Sequence, residues 1–187
     1  MIPRTLFNAD HETFRDSVRR FMQEEVVPHD EKWMDQGYAD RDVWLKAGAN
    51  GYLCSSMPEE YGGAAADRIY SMILMEEQAH ANCSSLGISL HSEIVAPYIN
   101  RYGSEALKMK YLPKMAKGEM IGAIAMSEPG AGSDLQAIKT TAVKKGRRVC
   151  RQRLQDLHHQ RLQLRSGHRG GQDRPGERCE RHFADHR

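Results

Sequence analysis

Within eight residues, Ser127-Glu128-Pro129-Gly130-Ala131-Gly132-Ser133-Asp134 gathers two hydroxyls, two carboxylates, a proline and two glycines. Glycines allow a ligand to approach the backbone closely, and N–H groups exposed in such a turn form a concavity suited to anions or ring carbonyls. A carboxylate next to a hydroxyl, as Glu128 is to Ser127, is a candidate general base. Taken alone the pattern is weak. It matches neither the P-loop nor the Gly-x-Gly-x-x-Gly dinucleotide pattern, and a glycine-rich loop after a strand is more often merely a turn. No metal chemistry is expected: Cys54, Cys83, Cys150 and Cys179 fall at no metal-ligand spacing. They are also too sparse for a disulfide scaffold, so a reducing compartment is the default.

The loop must be delivered by something. Ile121-Gly122-Ala123-Ile124-Ala125-Met126 is apolar and too brief for a helix, so it reads as a buried strand. Everything before it has helical spacing. Asn8 or Asp10 can cap a helix with Phe14, Val18, Phe21, Met22 and Val26 on one face, closed by Pro28. Asp40 caps a second helix carrying Val43, Trp44 and Ala47, with Asn50-Gly51 as a left-handed stop. Met57-Pro58-Glu59-Glu60-Tyr61-Gly62-Gly63 is a loop. Asp67 opens a long helix whose apolar residues, Ile69, Met72, Ile73, Met75 and Ala79, spread around most of its circumference, the mark of a central helix. From Ser84 to Gly103 runs another apolar helical stretch, kinked at Pro97, and Ser104-Glu105 starts a last helix carrying Leu107, Tyr111, Leu112 and Met115. Five or six helices with short links predict a bundle.

Composition divides the chain of 187 residues. Residues 1–146 hold 16 basic and 20 acidic side chains, whereas residues 147–187 hold 11 basic, all Arg, and 5 acidic. Of those last 41 residues only 9 are apolar, too few to bury a core, so this tail is expected to be disordered. The longest apolar runs, such as Met72 to Met75, fall far short of the roughly 20 residues that span a bilayer. No apolar segment follows Met1-Ile2-Pro3-Arg4, so neither a membrane span nor a secretory leader is expected.

Ala125-Met126-Ser127-Glu128-Pro129-Gly130-Ala131-Gly132-Ser133-Asp134-Leu135-Gln136-Ala137 resembles the first signature of the acyl-CoA dehydrogenases. Pro58-Glu59-Glu60-Tyr61-Gly62-Gly63 and Glu76-Glu77 are similar to that family's helical-domain landmarks, and the resemblance runs from about Arg4 to Gly146. Phe21 to Pro28, Cys83, His91-Ser92 and Ile121 to Gln136 look most like the long-chain type. The resemblance implies a mainly α fold: an N-terminal helical domain over residues 1–119, the start of a truncated β-domain over 120–146 that carries the flavin segment, and the tail over 147–187. It implies FAD, held by Ile124, Ala125, Met126, Ser127, Glu128, Pro129, Gly130, Ala131, Gly132 and Ser133, with Ser133 also touching substrate. The implied reaction is α,β-dehydrogenation of a fatty acyl-CoA, with electron-transferring flavoprotein as reoxidant. It further implies a homo-oligomer, dimer or tetramer, and a bacterial cytoplasm or a mitochondrial matrix. Leu86 to Tyr98 would line the acyl cavity. In the family's pattern Glu128 is a loop residue and the base lies further along, beyond this chain, so no catalytic residue is assigned and the fragment is expected to be inactive.

The genetic code suggests what the tail is. Allowed codons for Arg147 to Arg161, read one base later, spell DEYVVNGSKTFITN, and the same shift carried to Pro175 gives a sequence with the alternation and β-branched content of strands. It resembles the family's β-domain and implies one extra nucleotide near Gly146. His158-His159 and Gly170-Gly171 would then be accidents of frame. The competing reading is a helical module whose Arg-rich tail binds RNA or an acidic partner. Against it, the tail has one aromatic residue, Phe183, and no Lys, so a stacking platform for bases is missing.

Overall fold

The computed structural model describes residues 5–126, 128–145, 148–152 and 178–181, with backbone alone for the stretches 142–145, 148–152 and 178–181. The chain divides into two compact units, Met1–Ala123 and Ile124–Arg187. The first is helical. Helix α1 (Ala9–Phe21) is capped by Asn8, whose side chain accepts from the His11 N–H at 2.9 Å while His11 Nδ1 accepts from the Asn8 N–H at 3.2 Å. Two orphan donors of the first turn are thereby satisfied at once. Val18, Phe21, Met22 and Val26 are buried, the stripe that the spacing predicts.

Pro28 does not close this helical run. The α-helix widens into a π-helical turn, Met22–Val26, then tightens into a 3₁₀ turn, Val27–His29, and passes straight into α2 (Asp30–Gln36). Proline is tolerated because it falls in the first turn of a new segment, where its missing N–H breaks no ladder bond. Helix α3 (Arg41–Ala49) buries Val43, Trp44 and Ala47, as expected. Its Asp40 occupies the capping position without capping. The Asp40 carboxylate instead takes Lys32 Nζ at 2.6 Å and Gln36 Nε2 at 3.0 Å, and these bonds hold its pKa far below the usual carboxylate range.

Helix α4 (Arg68–His80), capped by Asp67 onto the Ile69 N–H at 2.8 Å, corrects another expectation. It buries Ser71, Ile73, Leu74 and Glu77, while Met72 and Met75 are exposed, so its apolar residues do not encircle a central helix. A further π-helical turn, Leu90–Val95, runs into α5 (Ala96–Tyr102), with Pro97 in the first turn, and α6 (Glu105–Ala116) is capped by Ser104. One core cluster joins α1 and its π extension, Trp33, α3, Tyr52, Leu53, Leu74, Leu86, Ile88 and Ile121. A second joins Cys54, Met57, Tyr61, Ala96, Leu112, Met115 and Ala116. Each large apolar side chain buried this way contributes about 1.5–3 kcal/mol. Leu86 and Ile88 are buried in the core, while Ile94 and Tyr98 are exposed.

Arg15 and Glu77 pin α1 to α4 inside this unit. Arg15 Nη1 lies 3.0 Å from Glu77 Oε1 and 2.6 Å from Glu76 Oε2, and Arg19 approaches Glu77 through Nε at 2.9 Å and Nη2 at 3.0 Å. Burial pushes the Glu77 carboxyl pKa up, but the bonds from Arg19 and Arg15 outweigh it and the net shift is downward.

The strand expected over Ile121–Met126 is absent: no described residue of that stretch enters a ladder. One ladder donor is removed within the first unit, where the Gly122 N–H is taken by His91 Nδ1 at 2.8 Å. Strand pairing begins at β1 (Thr141–Lys145), which pairs antiparallel with β2 (Arg148–Gln152), itself antiparallel to β3 (Arg178–Arg181). Thr141 faces Gln152, and Cys150 faces both Val143 and Cys179 in register. Two short strands thus lie within the span for which no element was expected, since ladder bonds use backbone groups that every residue but proline carries. The remainder of residues 147–187 lies outside the described residues. No helix is long and apolar enough to cross a membrane, and no group of three or more His, Cys, Asp or Glu could hold a metal ion, among the described residues.

Candidate functional site

Pro129-Gly130 forms the tip of a tight turn. The Glu128 N–H donates to the Ala131 carbonyl at 3.1 Å and the Ala131 N–H returns to the Glu128 carbonyl at 3.0 Å. Two of the amides expected to face a ligand are thus consumed within the turn itself. The Glu128 side chain, 7% exposed, does a second job. Its Oε2 accepts the Lys139 N–H at 2.7 Å, and its Oε1 accepts the Thr140 N–H at 3.0 Å and the Thr140 hydroxyl. One carboxylate therefore ties the start of the glycine loop to the residues that lead into β1.

That arrangement settles the chemistry open to Glu128. The Thr140 hydroxyl and the Lys139 amide hold its pKa below the ordinary range, so it is ionised, and its oxygens are occupied by donors. A carboxylate saturated in this way is a poor proton acceptor. Further along, the Asp134 carboxylate accepts the Gln136 N–H at 3.1 Å and caps the 3₁₀ turn Leu135–Ala137.

Ile124 and Ala125 are half-buried, Met126 is 43% exposed, and Pro129, Gly130, Gly132 and Ser133 are exposed, while Ala131 is buried. Ser127 lies outside the described residues. Around Gly130 and Gly132 there is open space: a Cβ built on either would meet nothing within 4 Å. Among the described residues, the motif thus leaves the amides of Gly130, Gly132 and Ser133 unbonded at exposed positions on either side of the buried Ala131.

Lys139 and Thr140 were not read from the sequence as part of this loop. Their contribution is largely two backbone amides, which leave no compositional trace. His91 was visible only as part of a resemblance to the long-chain type. In the first unit it is fully buried, with Nε2 at 3.2 Å from the Met115 carbonyl and 3.7 Å from Cys54 Sγ, and with Trp44 edge-on at 5.4 Å. Burial pushes its pKa down to about 4, against a smaller upward pull from the Met115 carbonyl, so the imidazole is neutral at ordinary pH. Cys54 beside it is a buried free thiol pushed up to about 12 by burial, and is inert as a nucleophile.

Residues 8–119 match the family described as acyl-CoA dehydrogenase, N-terminal domain. Over 143 residues, 76% of this chain, it is 48% identical to the mitochondrial long-chain specific acyl-CoA dehydrogenase of Mus musculus and 50% identical to that of Sus scrofa. The chain spans 33% of the length of each of these relatives. Among solved structures, an acyl-CoA dehydrogenase from Geobacillus kaustophilus superposes with a TM-score of 0.75 at 45% identity, over 80% of this chain and 40% of that one. An acyl-CoA dehydrogenase complexed with FAD from Bacillus anthracis does so with a TM-score of 0.71 at 31% identity, over 80% of this chain and 26% of the other. A helical unit matched across residues 8–119, joined to the glycine turn that follows it, belongs to the acyl-CoA dehydrogenase family, and so does this chain.

Proposed function

We infer that the protein to which these residues belong removes hydrogen from the α,β bond of fatty acyl-CoA thioesters, with FAD as its redox cofactor. The observation that carries this reading is the clamped glycine turn. Glu128 closes the loop from within, and among the described residues the amides of Gly130, Gly132 and Ser133 remain unbonded, with open space at both glycines. Unbonded N–H donors of that kind suit a polar ring edge or a phosphate. Ile124, Ala125, Met126, Ser127, Pro129 and Ala131 would complete the flavin segment, with Ser133 serving cofactor and thioester alike. Bound FAD would supply the two-electron acceptor for the hydride that leaves the β-carbon. Glu128, ionised and saturated, has the part of holding the loop rather than moving a proton.

A fatty acyl substrate is favoured by the relatives: those named long-chain specific are 47–50% identical, whereas the isovaleryl-CoA dehydrogenase of Solanum tuberosum is 40% identical. Electron-transferring flavoprotein as reoxidant, a homodimer or homotetramer, and a mitochondrial matrix or bacterial cytoplasm complete the reading. Residues 147–187 are, on this proposal, the β-domain read one nucleotide out of frame.

The test begins with the coding DNA across the codons for Lys144 to Arg151. The product of the uninterrupted frame is expected to quench FAD fluorescence on titration and to oxidise palmitoyl-CoA with electron-transferring flavoprotein or a dye as acceptor. A folded product that binds no FAD and oxidises no acyl-CoA of any chain length overturns the reading.

A further inference from the structure

His91 has features that the flavin-segment reading leaves unused. It is fully buried in the π-helical turn Leu90–Val95, and both of its ring nitrogens are committed to backbone. The Met115 carbonyl can only accept, so Nε2, at 3.2 Å, carries the proton and donates. The Gly122 N–H can only donate, so Nδ1, at 2.8 Å, carries the lone pair and accepts. One neutral imidazole in one tautomer thus bridges the end of α6 to the backbone at Gly122, a short way ahead of Ile124.

The site leaves little freedom for anything else. A Cβ on Gly122 would come within 2.8 Å of Val95 Cγ1 and 3.0 Å of Met115 Cε, so the backbone there is pressed against the π-helical turn and α6 together. The groups facing the ring are Cys54 from the loop after α3, the Trp44 ring from α3, and the Met115 carbonyl from α6. None of these is an anion. Glu93, on the same π-helical turn, is engaged by the Ser71 hydroxyl at 2.8 Å. A protonated imidazole would turn a second N–H toward the Gly122 amide, two donors facing each other in a buried site.

We propose that His91 is a positioning residue for the flavin-binding segment: its uncharged imidazole holds the Gly122 backbone at the point from which that segment departs, and protonation lets it go. The role in flavin binding rests on the function proposed above; the hold on Gly122 does not. The low pKa of the buried ring keeps the latch closed through neutral and mildly acidic solution, and opens it only near pH 4.

The experiment uses the full chain, uniformly ¹⁵N-labelled. At pH 7 the imidazole nitrogen shifts are expected to report the Nε2–H tautomer, and the Gly122 amide to exchange slowly. In His91→Leu the Gly122 amide is expected to exchange about tenfold or more faster, the equivalent of one net hydrogen bond. Amides of α1 should not change. In His91→Asn, whose Oδ1 can stand where Nδ1 stood, most of the protection is expected to return. An Nδ1–H tautomer, a ring that titrates at its ordinary 6.5, or equal Gly122 exchange in wild type and His91→Leu would each overturn the hold on Gly122. The wild-type spectra decide the matter even if His91→Leu fails to fold. A second arm measures FAD affinity in the uninterrupted-frame product, where His91→Leu is expected to lose about tenfold and His91→Asn to retain it. Equal affinity in His91→Leu and wild type would overturn the positioning role. A wild type that binds no FAD overturns the functional reading while leaving the Gly122 result standing.

Discussion

Replacing Glu77 by leucine would remove the anion on which two helices converge. Glu77 is 2% exposed and accepts three charge-assisted bonds, one from Arg15 at 3.0 Å and two from Arg19 at 2.9 and 3.0 Å. Breaking a buried ion pair from one side costs about 3–5 kcal/mol, because the other charge is left desolvated. The lower end applies here. Arg15 keeps Glu76 at 2.6 Å and Glu12 at 3.3 Å, and the Arg19 side chain is 53% exposed and regains water. Glu77→Leu is therefore expected to cost about 3 kcal/mol, and Glu77→Gln, which keeps the shape and part of the bonding, about 1.5–3 kcal/mol. Arg15→Leu combined with Glu77→Leu should be less damaging than the sum of the singles, with a coupling of about 1–3 kcal/mol. The sign of the pH dependence follows from the downward shift of Glu77. Its stabilising part is present in full above the unfolded value of about 4.5 and is lost as pH falls through the lower folded value, so the gap between wild type and Glu77→Gln narrows in acid. The assay is equilibrium urea unfolding followed by far-ultraviolet circular dichroism at pH 7 and at pH 4, with the slope unchanged between variants. A Glu77→Leu cost under about 1 kcal/mol, or additive singles and double, would show that the cluster is only a surface pair and refute the reasoning.

Two glycines of like backbone geometry separate conformational strain from close approach. Gly118 has φ +72°, and a Cβ there would sit 2.0 Å from the Trp44 carbonyl oxygen, whereas Gly37 has φ +81° and nothing within 4 Å. Gly37→Ala is expected to cost about 1–2 kcal/mol and Gly118→Ala at least a further 2 kcal/mol or so, read as shifts in unfolding midpoint; equal costs would contradict the close approach of Gly118 to the Trp44 carbonyl. Glu128→Ala should speed exchange of the Lys139 and Thr140 amides about tenfold and leave α1 unaffected, because the carboxylate is their acceptor. The same acceleration is expected in wild type as pH falls through the depressed Glu128 pKa, below the ordinary 4.5, and an unchanged rate would show that the loop is closed by other means.

Much of the helical unit could be read from sequence because its signals are local. Asn8, Asp67 and Ser104 cap as expected, each bonding an amide within three residues, a distance the chain itself enforces. The glycine turn likewise carried its resemblance in contiguous residues. What the tertiary structure alone decided is the choice of partner. Asp40 has the identity and position of a cap, yet Lys32 and Gln36 compete for its carboxylate and win. Ile121–Met126 has the composition of a strand, but an imidazole 31 residues back along the chain takes the Gly122 amide. Glu128, a candidate base that the sequence already left without a catalytic role, is given its task by two amides and a hydroxyl from residues 139 and 140. Glu77 finds Arg15 across 62 residues. Composition and spacing determine which bonds a residue can make. Which of them it does make depends on the groups that folding brings within about 3 Å, and that proximity is a property of the packed chain.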